Sequence, residues 1–189
     1  MGDIKAPNPT LLIIAAFSRE TAPSEETGPT AWARRRCEER FGPIRLESEA
    51  FQVDLFTDYY APSMGTGLLK RFWAFERPID PGTLAGIKCF SNALESEYAA
   101  SHGGDVERPL NLDPGYIDLG KLVLASTKDH AHRIYLRDGI YAETTLMYTR
   151  KHWQPHPWTY PDYQSGEFQR FFDRCRAYLK TLRAASSGC

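Results

Sequence analysis

Two runs of consecutive apolar residues stand out from an otherwise mixed chain, TLLIIAAF at 10–17 and KLVLAST at 121–127. Each is too short for a free-standing buried helix and too continuous for a half-exposed strand, so each predicts an interior strand covered on both faces. Residues 132–136 and 140–148, rich in Ile, Tyr, Thr and Leu, flank Arg137-Asp138-Gly139. Asp-Gly supplies the two positive-φ positions of a type I′ turn, which predicts a hairpin. With those two residues at the turn, Leu136 would pair with Tyr141, Ile134 with Glu143 and His132 with Thr145. One sheet face would then carry His132, Ile134, Leu136, Tyr141, Glu143 and Thr145, and the other Arg133, Tyr135, Arg137, Ile140, Ala142 and Thr144.

Between these strands the period changes. A polar loop is expected at 18–28, and Pro29 then opens a helix in which Ala33, Cys37 and Phe41 recur every four residues before Gly42-Pro43 stops it. Residues 44–56 approximately alternate polar with apolar, as in a half-exposed strand or hairpin. Residues 69–79 predict a strand with Phe72 and Ala74 on one side, Trp73 and Phe75 on the other. Asp80-Pro81 is a helix start, and Leu84, Ile87, Leu94 and Tyr98, with Ser91 between them, form the stripe of a helix lying on a sheet and ending at 101–104. Ser165 caps a last helix with the stripe Phe168, Phe171, Phe172, Cys175, Leu179 and Leu182. The proline- and aromatic-rich segment 153–163 is too rigid for a linker and predicts a lid or wall.

This order implies an α+β fold: a largely antiparallel sheet with helices on one face, built on a β-α-β-β-α-β ferredoxin-like core with an added hairpin and C-terminal helix. At 189 residues the chain is one domain's worth of core, with 1–9 and 184–189 expected to be flexible. Net charge is −1 with no basic stripe, which gives no nucleic-acid signature. The start carries no secretory pattern and no segment is long enough to span a bilayer. The cysteines (Cys37, Cys89, Cys175, Cys189) are widely spaced and read as reduced thiols of a cytoplasmic protein. Oligomeric state is not legible, and no cofactor is named by any motif.

Candidate chemistry concentrates in 108–143. Arg108, Asn111, Lys121, Lys128 and Arg133, with Tyr60, Tyr141 and Tyr160 as aromatic walls, could hold a small anionic metabolite or nucleotide, since arginine grips phosphate or carboxylate with two parallel bonds. The bland alternative is a network of ion pairs to Asp58, Asp113, Asp129 and Glu143 that ties loops to the sheet. His130, His132 and Glu143 on one sheet face would form an open transition-metal site, against a structural His132–Glu143 hydrogen bond. As general acid or base the candidates are His132, Glu143 and Asp113. Arg108, Asn111, Asp113, Lys128, His132, Arg133 and Glu143 are expected to gather near one pocket, although the hairpin register puts His132 and Arg133 on opposite faces. An exposed aromatic surface around Trp153, Trp158 and Tyr160 would instead mark an interaction protein.

Other features reduce to structure. Arg34, Arg35 and Arg36 beside Glu38 and Glu39 read as a solvated helix face, and Asp113-Pro114-Gly115 reads as a type II turn. Gly65-x-Gly67-x-x-Lys70 lacks phosphate-loop spacing and precedes a strand rather than a helix. Thr127-Lys128-Asp129 lacks the intervening residue of a guanine-reading motif, and no strained serine elbow or catalytic cysteine motif is present.

ERFGPI at 39–44, FTDYY at 56–60, RPLNLDPGYIDLGKLVLASTKDHAHRIYL at 108–136, GIYAE at 139–143 and WTYPDY at 158–163 together closely resemble the bacterial family catalogued as domain of unknown function 4416. The likeness covers almost the whole chain. It implies kinship but no activity, cofactor or catalytic residue.

Overall fold

A computed structural model describes residues 2–19, 28–102 and 104–186. The loop expected at 18–28 lies outside them from 20 to 27, as do Gly103, at the end expected for the second long helix, and the last three residues, Cys189 included.

The apolar run near the start becomes β1 (Thr10–Arg19), and Leu11 through Phe17 have no exposed surface. Burying such side chains is worth about 1.5–3 kcal/mol each, so this strand belongs where both faces and both edges are covered. It pairs antiparallel with β4 (Leu68–Ile79) on one side and β5 (Asn111–Ile117) on the other. Beyond β4 lie β2 (Ile44–Glu47) and the short β3 (Phe51–Gln52), and beyond β5 come β6 (Lys121–Ser126), β8 (Ile140–Thr149) and β7 (Ile134–Arg137), with β9 (His152–Pro155) also on β8. All pairings are antiparallel.

With α1 (Pro29–Phe41) between β1 and β2, and α3 (Leu84–His102) between β4 and β5, the order β2-β4-β1-β5 reproduces the expected β-α-β-β-α-β core. A four-residue turn, α2 (Ala61–Met64), precedes β4, and α4 (Gly166–Ser186) ends the described chain. The expected caps are present: Asp80 accepts from the Gly82 N–H at 2.8 Å and Ser165 from the Phe168 N–H at 3.3 Å. The arginine-rich face of α1 is tied by Arg34 to Glu47 at 2.6 Å and by Arg36 to Glu97 of α3 at 2.9 Å.

Helical cover is two-sided, which corrects the one-face expectation. α1 and α3 pack on Leu12, Ile14, Ala16, Trp73 and Phe75, while Phe168, Phe171, Phe172, Cys175 and Leu179 of α4 pack on Leu11, Ile13, Ala15, Phe72 and Ala74. The reason is in β1 itself: odd and even positions are all apolar, so neither face can be left to water. Trp153, expected on an exposed aromatic surface, is 3% exposed and packs under α4, its indole N–H donating to Asp173 at 3.0 Å. Among the described residues no helix is long and apolar enough to cross a membrane.

The β7–β8 hairpin turns at Asp138 (φ 55°) and Gly139 (φ 75°), as the sequence requires. Its register departs from expectation after Arg137↔Ile140. A bulge at Leu136 then pairs Tyr135 with Tyr141 and Ile134 with Ala142, and the strand stops there. His132 and Arg133 precede the strand, in a turn closed by the Arg133 N–H on the His130 carbonyl at 2.9 Å, and so escape strand alternation. Open space surrounds Gly139, so Gly139→Val should act through backbone strain alone, costing about 1–3 kcal/mol in a thermal melt. An unaltered melt would refute the turn's role.

Candidate functional site

Asp113-Pro114-Gly115 is not a turn; it runs within β5. Pro114 has no N–H to give a neighbour, and the β5–β6 ladder begins only at Gly115↔Leu124 and runs on through Ile117↔Leu122. The residues before it, 111–114, pair with β1 alone, so the sheet splits between the first half of β5 and the end of β6. Helix α3 supplies the missing partners. Lys88 Nζ donates to the Leu112 carbonyl at 2.9 Å, and Glu95 Oε1 accepts the Leu112 N–H at 2.8 Å. Both polar groups at the unladdered edge are thus satisfied by side chains seven residues apart on one helix face.

The split opens into a cavity of about 420 Å³, within the size range of small-molecule sites. Its buried end is built from Lys88, Asp113, Lys70 of β4, and Asp162 and Tyr163 from a 3-10 turn (Pro161–Gln164) before α4. Lys88 Nζ lies 3.2 Å from Asp113, and Lys70 Nζ 2.7 Å from Asp162. Lys70 is also caged by rings, the nearest being Tyr163 with its centroid at 4.5 Å. Burial works to raise the Asp113 carboxyl, but Lys88 and Lys70, with hydrogen bonds from Lys88 and Asn111, hold it below the ordinary carboxylate range. Burial, and the nearby Asp162, Asp113, Tyr60 and Glu143, push the Tyr163 phenol well above its usual value, so it keeps its proton. That hydroxyl is buried and has no hydrogen-bond partner among the described residues, a state that costs about 1–3 kcal/mol.

The exposed end is lined by Arg108, Lys128, Tyr59 and Tyr160. Arg108 is tethered to Glu95 at 3.0 Å and to Asn111, and its backbone N–H holds the Ser63 carbonyl of α2 at 2.9 Å. Lys128 donates to the Tyr59 hydroxyl and lies 4.5 Å from its ring centroid, and this hydrogen bond draws the phenol's pKa down. Among the described residues Lys128 has no carboxylate partner.

One side wall is Arg133 paired with Glu143, their side chains 3% and 2% exposed and Nε to Oε2 2.6 Å. Arg133 also donates to Ser126 Oγ at 2.7 Å and the Lys128 carbonyl at 3.0 Å. His132 approaches the same Glu143 oxygen from outside the cavity at 3.1 Å. Its ring lies in a parallel stack with those of His130 (5.8 Å), Trp158 (4.9 Å) and, beyond Trp158, His156 (4.7 Å). Both His132 and Arg133 therefore reach Glu143, which the expected register would have forbidden.

Of the residues expected at a site, Arg108, Asn111, Asp113, Lys128, Arg133 and Glu143 line the cavity, with Tyr60 and Tyr160 as walls. His132 stands behind it, and Tyr141 lies outside, packed edge-on against Tyr135. His130, His132 and Glu143 do not converge as a metal set. His130 meets His132 only by ring stacking, Glu143 is held by Arg133, and among the described residues no cluster of three such ligands is arranged to hold an ion. Trp158 and Tyr160 remain partly exposed, as do Ile134, Tyr135 and Leu136 on the edge strand.

Lys70, Lys88, Glu95, Asp162 and Tyr163 escaped sequence reading. A signal existed for three of them. Lys88 and Glu95 fall on the apolar stripe of α3, and Lys70 shares the alternating face of Leu68, Phe72 and Ala74, so each is a charge where the pattern demands an apolar side chain. Cys37 and Cys175, pushed up by burial, the former to about 12, are inert core thiols.

Fold and cavity together define an α+β protein whose antiparallel sheet is parted to make a polar, small-molecule-sized hollow. The chain belongs to the family described as Domain of unknown function (DUF4416), whose sequence model matches residues 9–178. No curated protein and no solved structure matches it.

Proposed function

We propose that the protein binds a small anionic, phosphate- or nucleotide-like ligand in the cavity of the split sheet. The observation that carries this reading is the imbalance on its wall. Five cations (Lys70, Lys88, Arg108, Lys128, Arg133) face three carboxylates (Asp113, Glu143, Asp162), in a chain whose net charge is −1. Glu95, behind the wall, offsets one of them through Arg108, which still leaves an excess positive charge. In a concave, partly desolvated site such an excess attracts anions far more strongly than on an open surface.

A panel of nucleotides and phosphorylated metabolites should raise the melting temperature, because a ligand that binds only the folded state stabilises it by mass action. Lys128→Ala should reduce the affinity of the active compounds about tenfold or more, the loss expected for one charge-assisted hydrogen bond. Lys128 is exposed and makes no core contact, so the variant should fold as the wild type does. No shift with any anionic compound would refute the reading.

A further inference from the structure

Each cation of the cavity but one has its own carboxylate. Lys88 pairs with Asp113, Lys70 with Asp162, Arg133 with Glu143 and Arg108 with Glu95. Among the described residues Lys128 alone has none, so the wall carries a single uncompensated positive charge, and it stands at the exposed end. One negative charge on a ligand neutralises it. A second would give up hydration to face ions that are already paired, a cost that no new partner offsets. The cavity therefore favours a monoanion over a dianion.

Two large rings stand beside that charge. The Tyr59 ring lies 4.5 Å from Lys128 Nζ, and Tyr160 is joined to Lys128 through Arg133, which donates to the Tyr160 hydroxyl at 3.4 Å and to the Lys128 carbonyl at 3.0 Å. Both tyrosines line the cavity yet are 62% and 48% exposed, so much of their surface is open to be covered by a ligand. Tyrosines placed next to a cation that takes a phosphate stack a nucleobase readily, because every base has a flat face.

We infer that the ligand is a nucleoside phosphodiester of the size of a cyclic mononucleotide, with its singly charged phosphate on Lys128 and its base against Tyr160. This rests on the anionic-ligand reading above and narrows it by charge. A phosphate monoester carries about 1.5–2 negative charges at neutral pH, more than the wall can neutralise, whereas a diester carries one. The cavity of about 420 Å³ has room for one nucleotide.

Calorimetric titration of the full chain at neutral pH tests it with the 3′,5′-cyclic monophosphates of the four ribonucleosides against their 5′-monophosphates and the free nucleosides. At least one cyclic nucleotide should bind about fivefold or more tighter than its 5′-monophosphate. The methyl ester of that monophosphate, which lacks only the second charge, should also bind more tightly than the monophosphate. Lys128→Ala should weaken the cyclic nucleotide about tenfold and leave the free nucleoside unchanged. Tyr160→Ala should weaken both about tenfold, whereas Tyr160→Phe, which keeps the ring, should bind as the wild type does. If a 5′-monophosphate binds as tightly as its methyl ester and its cyclic form, or Tyr160→Ala binds like the wild type, the phosphodiester assignment falls and the anionic-ligand reading stands. If none of these phosphates binds and the wider panel of anions gives no melting shift, both fall.

Discussion

Gly115→Ala is expected to lower the melting temperature by roughly 2–12 °C, a large loss for a single methyl group. A Cβ at this position would lie 2.3 Å from the Val123 carbonyl oxygen and 2.7 Å from Leu124 Cδ2. The first is backbone of β6 and cannot swing aside as a side chain could. Either the first rung of the β5–β6 ladder breaks or the strands separate, and overpacking of this kind costs about 1–3 kcal/mol or somewhat more. In a chain of this length each kcal/mol is worth about 2–4 °C. Because Gly115↔Leu124 is where the sheet begins to close after the split, the same change should also deform the cavity. A variant melting within a degree of the wild type would show that β5 and β6 are not so closely apposed.

The second large effect is expected at the buried ion pair. Arg133→Met should destabilise the protein by about 3–5 kcal/mol, because it leaves Glu143 buried with only His132 and Thr145 as neighbours for its charge. The double variant Arg133→Met/Glu143→Leu should recover much of that loss, since two apolar side chains avoid the desolvation that an unpaired carboxylate suffers. Denaturant unfolding of both single variants and the pair measures the coupling. Additive effects would mean that the 2.6 Å contact contributes little. Retention of a charged pair where an apolar pair would serve stability as well fits a wall whose job is to present polar groups to a ligand.

The candidate site was half legible, and its halves differ in kind. Arg108, Asn111, Lys128 and Glu143 were found because they crowd one stretch of sequence around recognisable strands. Lys70, Lys88, Asp162 and Tyr163 come from three other segments, and only the strand order brings β4, α3 and the turn before α4 to the same opening. His132 and Arg133 were set on opposite faces by strict strand alternation, but the strand begins only at Ile134, so the constraint does not reach them.

What the sequence by itself determined was whatever depends on neighbours along the chain. The continuous apolar runs of β1 and β6 demanded interior positions, Asp138-Gly139 demanded a turn, and Asp80 and Ser165 demanded helix starts, because solvation and backbone sterics act on each segment wherever it sits. What only the tertiary structure decided was which strand edges meet. Pro114 could equally have begun a turn, and it lies in a strand because β1 supplies a partner on one side, while Lys88 and Glu95 satisfy Leu112 on the other. Hydrogen-bond satisfaction of a backbone edge is a property of the whole sheet, so the split that makes the cavity could not be read from residues 113–115 alone.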